Sequence, residues 1–175
     1  MDESKEEVVF ERVTKVIGKY GTVRESNRKR FGLFFALSYE DNARHVKVEI
    51  SRRQFGSRYE VKTYLGVSML VMVPDDMFAH KLMAMHERIG KTSRDIYDVW
   101  FFLQHRFPVN QGIVRERSGM PFDEFLQICI ERLEKMSNRH ILDGVGELLT
   151  PSQKDWAKAK LRDDTISLLK LRLGG

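Results

Sequence analysis

Apolar residues recur at helical spacing between Glu6 and Tyr20, where Val9, Val13, Val16 and Ile17 predict one helix face and Gly18 and Gly21 its end. The period then shortens. FGLFFALSY (31–39), HVKVEIS (45–51), YEVKTYL (59–65) and VSMLVMV (67–73) are rich in aromatic and β-branched residues, and the turn-like EDNA and FGSR lie between them. Four short strands are therefore predicted, the first two as a hairpin. After Pro74 the pattern is helical. Asp75 or Asp76 is the expected cap of a helix to about Arg88, and Thr92 opens a second to about Arg106. FDEFLQICIERLEKM predicts a third helix, HILDGVGELL a fourth and residues from about Gln153 to Leu173 a fifth, with FPVNQG as the obvious loop. Strands followed by helices predict an α+β fold, with a sheet-bearing core over 1–74 and a helical domain over 75–175.

Composition narrows this picture. At 175 residues, 42% hydrophobic and 31% charged, the chain can bury a substantial core. Its single cysteine, Cys129, lies in an apolar helical run, so it forms no internal disulfide and reads as a buried thiol in a reducing compartment. The longest apolar runs fall well short of the roughly 20 residues that span a bilayer, and the acidic start MDESKEE does not resemble a signal peptide, so a cytoplasmic protein is expected. The net charge is +5, and its excess is concentrated between Arg24 and Lys62, which favours phosphate-bearing partners.

Three groups of charged residues stand out. In HVKVEIS, Val46, Val48 and Ile50 alternate with Lys47, Glu49 and Ser51, so one strand face packs inward and the other presents a base and an acid. A carboxylate fixed on a sheet beside a lysine suits Mg²⁺ in nucleotidyl transfer, but on spacing alone an exposed Lys-Glu pair on a half-solvated sheet is the favoured reading. In HKLMAMHER, Lys81 and Arg88 lie seven apart on one helix face with the small Ala84 between them. In the next helix, Ile96, Val99, Trp100 and Leu103 form a core seam, leaving Arg94, Asp95 and Asp98 on the remaining arc. Thr92-Ser93-Arg94-Asp95 resembles a capping box, whereas Asp98 is expected to be substantially buried and paired with Arg94 or Arg88. His80 and His86 lack zinc-site spacing, His80 reads as a helix-surface residue, and no G-x-S-x-G or phosphate-binding glycine loop occurs.

Lys47-Val48-Glu49 on a strand, then K-x-x-A-x-x-x-R (81–88), then R-D-x-x-D with an aromatic tail (94–102), resembles the AbiEii/AbiGii nucleotidyltransferase toxins of type IV toxin–antitoxin and phage abortive-infection systems. The likeness covers roughly residues 30 to 105. It implies a partial polymerase-β-like nucleotidyltransferase sheet followed by a C-terminal helical bundle, with Mg²⁺ as cofactor, an NTP as substrate, RNA as an acceptor and a cognate antitoxin as partner. By the same resemblance Glu49 is a metal ligand and belongs with Lys81 and Asp98 to the catalytic set, while Lys47, Lys81, Arg88, Arg94 and Asp95 form the nucleotide site.

The family's first motif, a G-S turn followed by D-x-D that carries two metal-binding aspartates, has no counterpart before Phe31. The expectation is a truncated or split member whose motif lies elsewhere, or a degenerate one that keeps the scaffold. One carboxylate cannot hold two cations at catalytic separation. Two readings follow: a toxin domain that transfers NMP from an NTP once the missing motif is supplied, or a non-catalytic module that binds nucleotide, RNA or antitoxin.

Overall fold

The computed structural model describes residues 3–174 and is mixed α+β, with the sheets before the main run of helices. It divides into two compact units, one up to Gln54 and one from Phe55 onward. Among the described residues no helix is long and apolar enough to cross a membrane.

The first unit is a helix on a three-stranded antiparallel meander, α1 (Glu3–Ile17), β1 (Thr22–Lys29), β2 (Gly32–Ser38) and β3 (Val46–Ser51), in the order β1-β2-β3. Central β2 is the apolar strand, buried from Leu33 through Leu37. Its Phe35 meets Phe10 of α1 with ring centroids 5.0 Å apart. Val16, expected on the buried face of α1, is exposed. The strand β1 was not legible as one: TVRESNRK carries no apolar alternation, and it is held by backbone pairing to β2, with its side chains almost wholly exposed. In β3, Val48 and Ile50 lie opposite Phe35 and Leu33 and are half-buried, while Lys47 and Glu49 lie opposite Ala36 and Phe34 and are exposed.

The second unit opens with the hairpin β4 (Tyr59–Tyr64) and β5 (Val67–Met72), closed by Leu65 and Gly66 at positive φ. The hairpin, grouped by sequence with the earlier strands, is tied to the helices through Arg58 and Asp76. Then follow α2 (Pro74–Arg88), α3 (Arg94–Gln104), α4 (Gln111–Ser118), α5 (Phe122–Glu134), α6 (Pro151–Trp156), a π-helical turn (Ala157–Leu161) and α7 (Arg162–Leu173). Their core includes Phe78 stacked on Phe102 at 5.1 Å, with Ile96, Leu126, Leu133, Leu161 and Leu169. α4 was not predicted: it starts in the last two residues of the expected loop FPVNQG and covers a stretch to which the sequence assigned no element. The Asn110 side chain accepts hydrogen bonds from the N–H groups of Gly112 and Ile113, and Gly119 ends the helix in the left-handed region. The expected fourth helix is instead two short 3₁₀ turns, Asn138–His140 and Gly146–Leu148, separated by Gly144 at φ 76°. Ile141, Val145 and Leu149 still bury as a helical spacing would have them do.

Candidate functional site

Helices α2 and α3 run together around the turn Ile89–Ser93, where Gly90 takes positive φ, and this reversal pairs their charges in reverse order. Lys81 Nζ donates to Asp98 Oδ2 at 2.5 Å, and Arg88 Nη2 donates to Asp95 Oδ1 at 2.7 Å. The near pair, at the turn, is asymmetric: the Arg88 side chain is half-exposed while that of Asp95 is only 3% exposed. The far pair is partly open, with side-chain exposures of 33% for Lys81 and 25% for Asp98. Asp95 Oδ2 is buried with no hydrogen-bond partner. Burial pushes the Asp95 carboxyl above its ordinary pKa and the neighbouring Asp98 adds to this, while Arg88 and Lys81 oppose it. An unused acceptor, two cations and a second carboxylate thus share one side of a helix pair.

Two sequence expectations change here. Asp98 is only partly buried and pairs with Lys81, because the lysine lies across from it on α2, while Arg94 is exposed and has no carboxylate partner among the described residues. Asp95 does not close a capping box: it turns inward to Arg88, and α3 has Ser93 at its N-cap without a side-chain cap bond. A side chain at Gly144 would meet Thr92 Oγ1 at 2.5 Å and Arg94 Cβ at 3.8 Å, so Arg94 lies along the turn at 144.

The cap expected at Asp75 or Asp76 is also replaced. Val73 is the N-cap of α2 and Pro74 supplies its first turn, freeing Asp76 to point inward, fully buried. Asp76 accepts from the Arg58 N–H at 2.6 Å, from Arg58 Nη2 at 3.0 Å and from Asn110 Nδ2 at 2.7 Å. Burial alone would raise its pKa, but the hydrogen bonds from Arg58 and Asn110 outweigh it and hold the carboxyl at about 2.

His80, expected on the surface, is half-buried. Its Nε2 lies 2.7 Å from Ser57 Oγ, its Nδ1 lies 2.8 Å from Arg117 Nη1, and its ring lies against Phe55. A guanidinium can only donate, so Nδ1 accepts and the ring proton sits on Nε2, directed at Ser57. That polarity is opposite to the one that activates a serine nucleophile. His86 lies against Phe125, and its pKa is lowered by burial and by Arg132, with Glu87 opposing.

Lys47 and Glu49 belong to the first unit; Lys81, Arg88, Arg94, Asp95 and Asp98 belong to the second. Among the described residues, Glu49 is the one carboxylate lining a groove of about 490 Å³ whose other charged residues are Lys29, Arg30 and Arg53. Three cations around one acid do not make a divalent-cation site, and among the described residues no three His, Cys, Asp or Glu side chains converge to hold a metal. The described residues therefore do not present a site that fits Mg²⁺. Cys129 is fully buried, as its apolar run suggested, and burial pushes its thiol up to about 12.

A family model described as nucleotidyl transferase AbiEii toxin, type IV TA system, matches residues 2–164. No curated protein and no solved structure gives a significant match.

Proposed function

We propose, because the chain belongs to the AbiEii family of nucleotidyl transferase toxins of type IV toxin–antitoxin systems, that the α2–α3 charge array is its NTP phosphate grip. Lys81 and Arg88 provide the cations, Asp98 and Asp95 orient them, and the buried, unpartnered Asp95 Oδ2 can take up a proton. The observation that carries this reading is the reverse-order pairing of Lys81 with Asp98 and of Arg88 with Asp95. Each cation is positioned by a carboxylate, and an incoming triphosphate can compete for it. The reaction is transfer of NMP from an NTP to an acceptor such as RNA. Arg94, exposed on the same unit, would serve the nucleotide from outside this array, whereas Lys47 belongs to the other unit and has no part in it.

Catalysis with Mg²⁺ would require a set of metal-binding carboxylates that the described residues do not bring together. The second reading, a nucleotide, RNA or antitoxin-binding module without turnover, is favoured by the single carboxylate that the described residues place at the Glu49 groove. The family's toxin–antitoxin setting implies a cognate antitoxin partner.

Thermal melts of the full chain with each NTP test the grip. One or more NTPs are expected to raise Tm in proportion to the logarithm of concentration, and Lys81→Ala with Arg88→Ala to abolish the rise. A rise that survives both substitutions would place nucleotide elsewhere, and no rise with any NTP would end the proposal.

A further inference from the structure

We propose that the groove at the tip of the β1–β2 hairpin binds a single-stranded polynucleotide, with a base stacked on Phe31 and phosphates on Lys29, Arg30 and Arg53. Arg30 and Phe31 form the two-residue turn between Lys29 and Gly32. Phe31 is 49% exposed, and the guanidinium carbons of Arg30 and Arg53 each lie 5.0 Å from its ring centroid. Lys29 Nζ lies 4.0 Å above the ring of Phe34 in the same groove. An exposed aromatic ring flanked by cations suits a flexible strand that offers a base to stack and phosphates to pair. Glu49, directly across from Phe34 on β3, adds an acceptor suited to the amino edge of a base.

The tip is held in place by residues outside the groove's charged set. The Arg52 guanidinium donates to the carbonyls of Lys29 at 2.6 Å and Arg30 at 2.8 Å, and the Arg52 N–H donates to the carbonyl of Phe31 at 2.8 Å. Arg52 is fixed in turn by an ion pair with the buried Glu6. A Cβ on Gly32 would stand 2.2 Å from the Ile50 carbonyl oxygen, so β3 passes tightly beneath the turn. Three successive carbonyls captured by one arginine leave the side chains of Lys29, Arg30 and Phe31 presented from a preset backbone, which lowers the ordering cost of binding.

The proposed function enters only in offering an acceptor strand as the natural occupant; the binding stands without transfer. Three cations against one carboxylate among the described residues disfavour a divalent cation as occupant, and the exposed ring favours a base over an acidic peptide.

Fluorescence anisotropy of the full chain with labelled single strands of about 12 nucleotides, as RNA and as DNA of the same sequence, tests this. Equal binding of the two assigns recognition to stacking and phosphate alone, and preference for RNA adds a 2′-hydroxyl contact; both support the site. The logarithm of the affinity is expected to fall with the logarithm of salt with a slope of about −2 for three phosphates, and Lys29→Ala, Arg30→Ala and Arg53→Ala each to flatten it by about 0.7. Phe31→Ala is expected to weaken binding roughly tenfold with the slope and the melting temperature unchanged. The proposal is overturned if Phe31→Ala binds as the parent does, if a duplex or polyglutamate competes as well as the single strand, or if no strand binds. The assay contains no NTP, so its failure and a failure of the NTP grip are separate results.

Discussion

Lys81 on α2 and Asp98 on α3 meet at 2.5 Å while keeping 33% and 25% of their side chains exposed. A pair that open to water is screened, so Asp98→Ala is expected to lower unfolding stability by only about 1 kcal/mol. Its larger effect should be on ligand, because Lys81 loses the group that orients it. Urea melts and NTP titrations on the same variant separate the two, and a loss of stability above about 3 kcal/mol would show that the pair is buried in solution.

Asp76 should dominate the acid limb of stability. Its folded pKa, about 2, lies below its ordinary 3.8, so the stabilisation is complete above the unfolded value and is lost as pH falls through the folded one. The difference amounts to about 2 kcal/mol. Asp76→Ala also strands the Arg58 N–H and Asn110 amide donors, at a cost of about 3 kcal/mol near neutral pH. Asp76→Asn should remove the pH dependence between 3.8 and about 2, measured by urea unfolding across that range.

Asp95 has the opposite sign. Burial raises its folded pKa above 3.8, so the protonated form favours the native state, and stability falls as pH rises through the interval between the unfolded and folded values. Subtracting the stability curve of Asp95→Asn from that of the parent should leave this decline. Saturating NTP should move it if the phosphate grip draws Arg88 away from the carboxylate.

The isolated chain is expected to show no Mg²⁺-dependent incorporation of labelled NTP into RNA or protein, and Glu49→Gln, on an exposed strand face, to change stability by less than about 0.5 kcal/mol. Robust transfer by the chain alone would assign the metal to other acidic residues, Asp95 and Asp98 first.

Cys129, with its thiol pushed up to about 12, should resist a thiol reagent at pH 8 until the fold opens. Fast labelling of the native protein would contradict its burial.

Where side chains alone dictate structure, the sequence was readable. The apolar period of α2 and α3, the pairing of the second and third strands and the inward thiol of Cys129 all follow from local pattern. β1 was hidden because an edge strand needs only its backbone, and TVRESNRK has no apolar face to reveal it. The stretch 140–149 misled in the other direction: its apolar residues keep a four-residue spacing, but Gly144 breaks the helix. The site residues could be named from the run 81–98, yet not their partners. Choosing Lys81 rather than Arg94 or Arg88 for Asp98 depends on the interhelical turn, and recognising Asp76 as a buried acceptor depends on Arg58 and Asn110, far away in sequence.

The Glu6–Arg52 ion pair joins residues 46 apart, near the two ends of the first unit, and the same arginine holds the carbonyls of Lys29 and Arg30. During synthesis the helix and first hairpin therefore emerge from the ribosome ahead of the residue that locks them. Until Arg52 emerges, Glu6 lacks its ion-pair partner and the turn at Arg30 and Phe31 lacks its fastener, so these contacts can complete only after the last strand of the unit has been made.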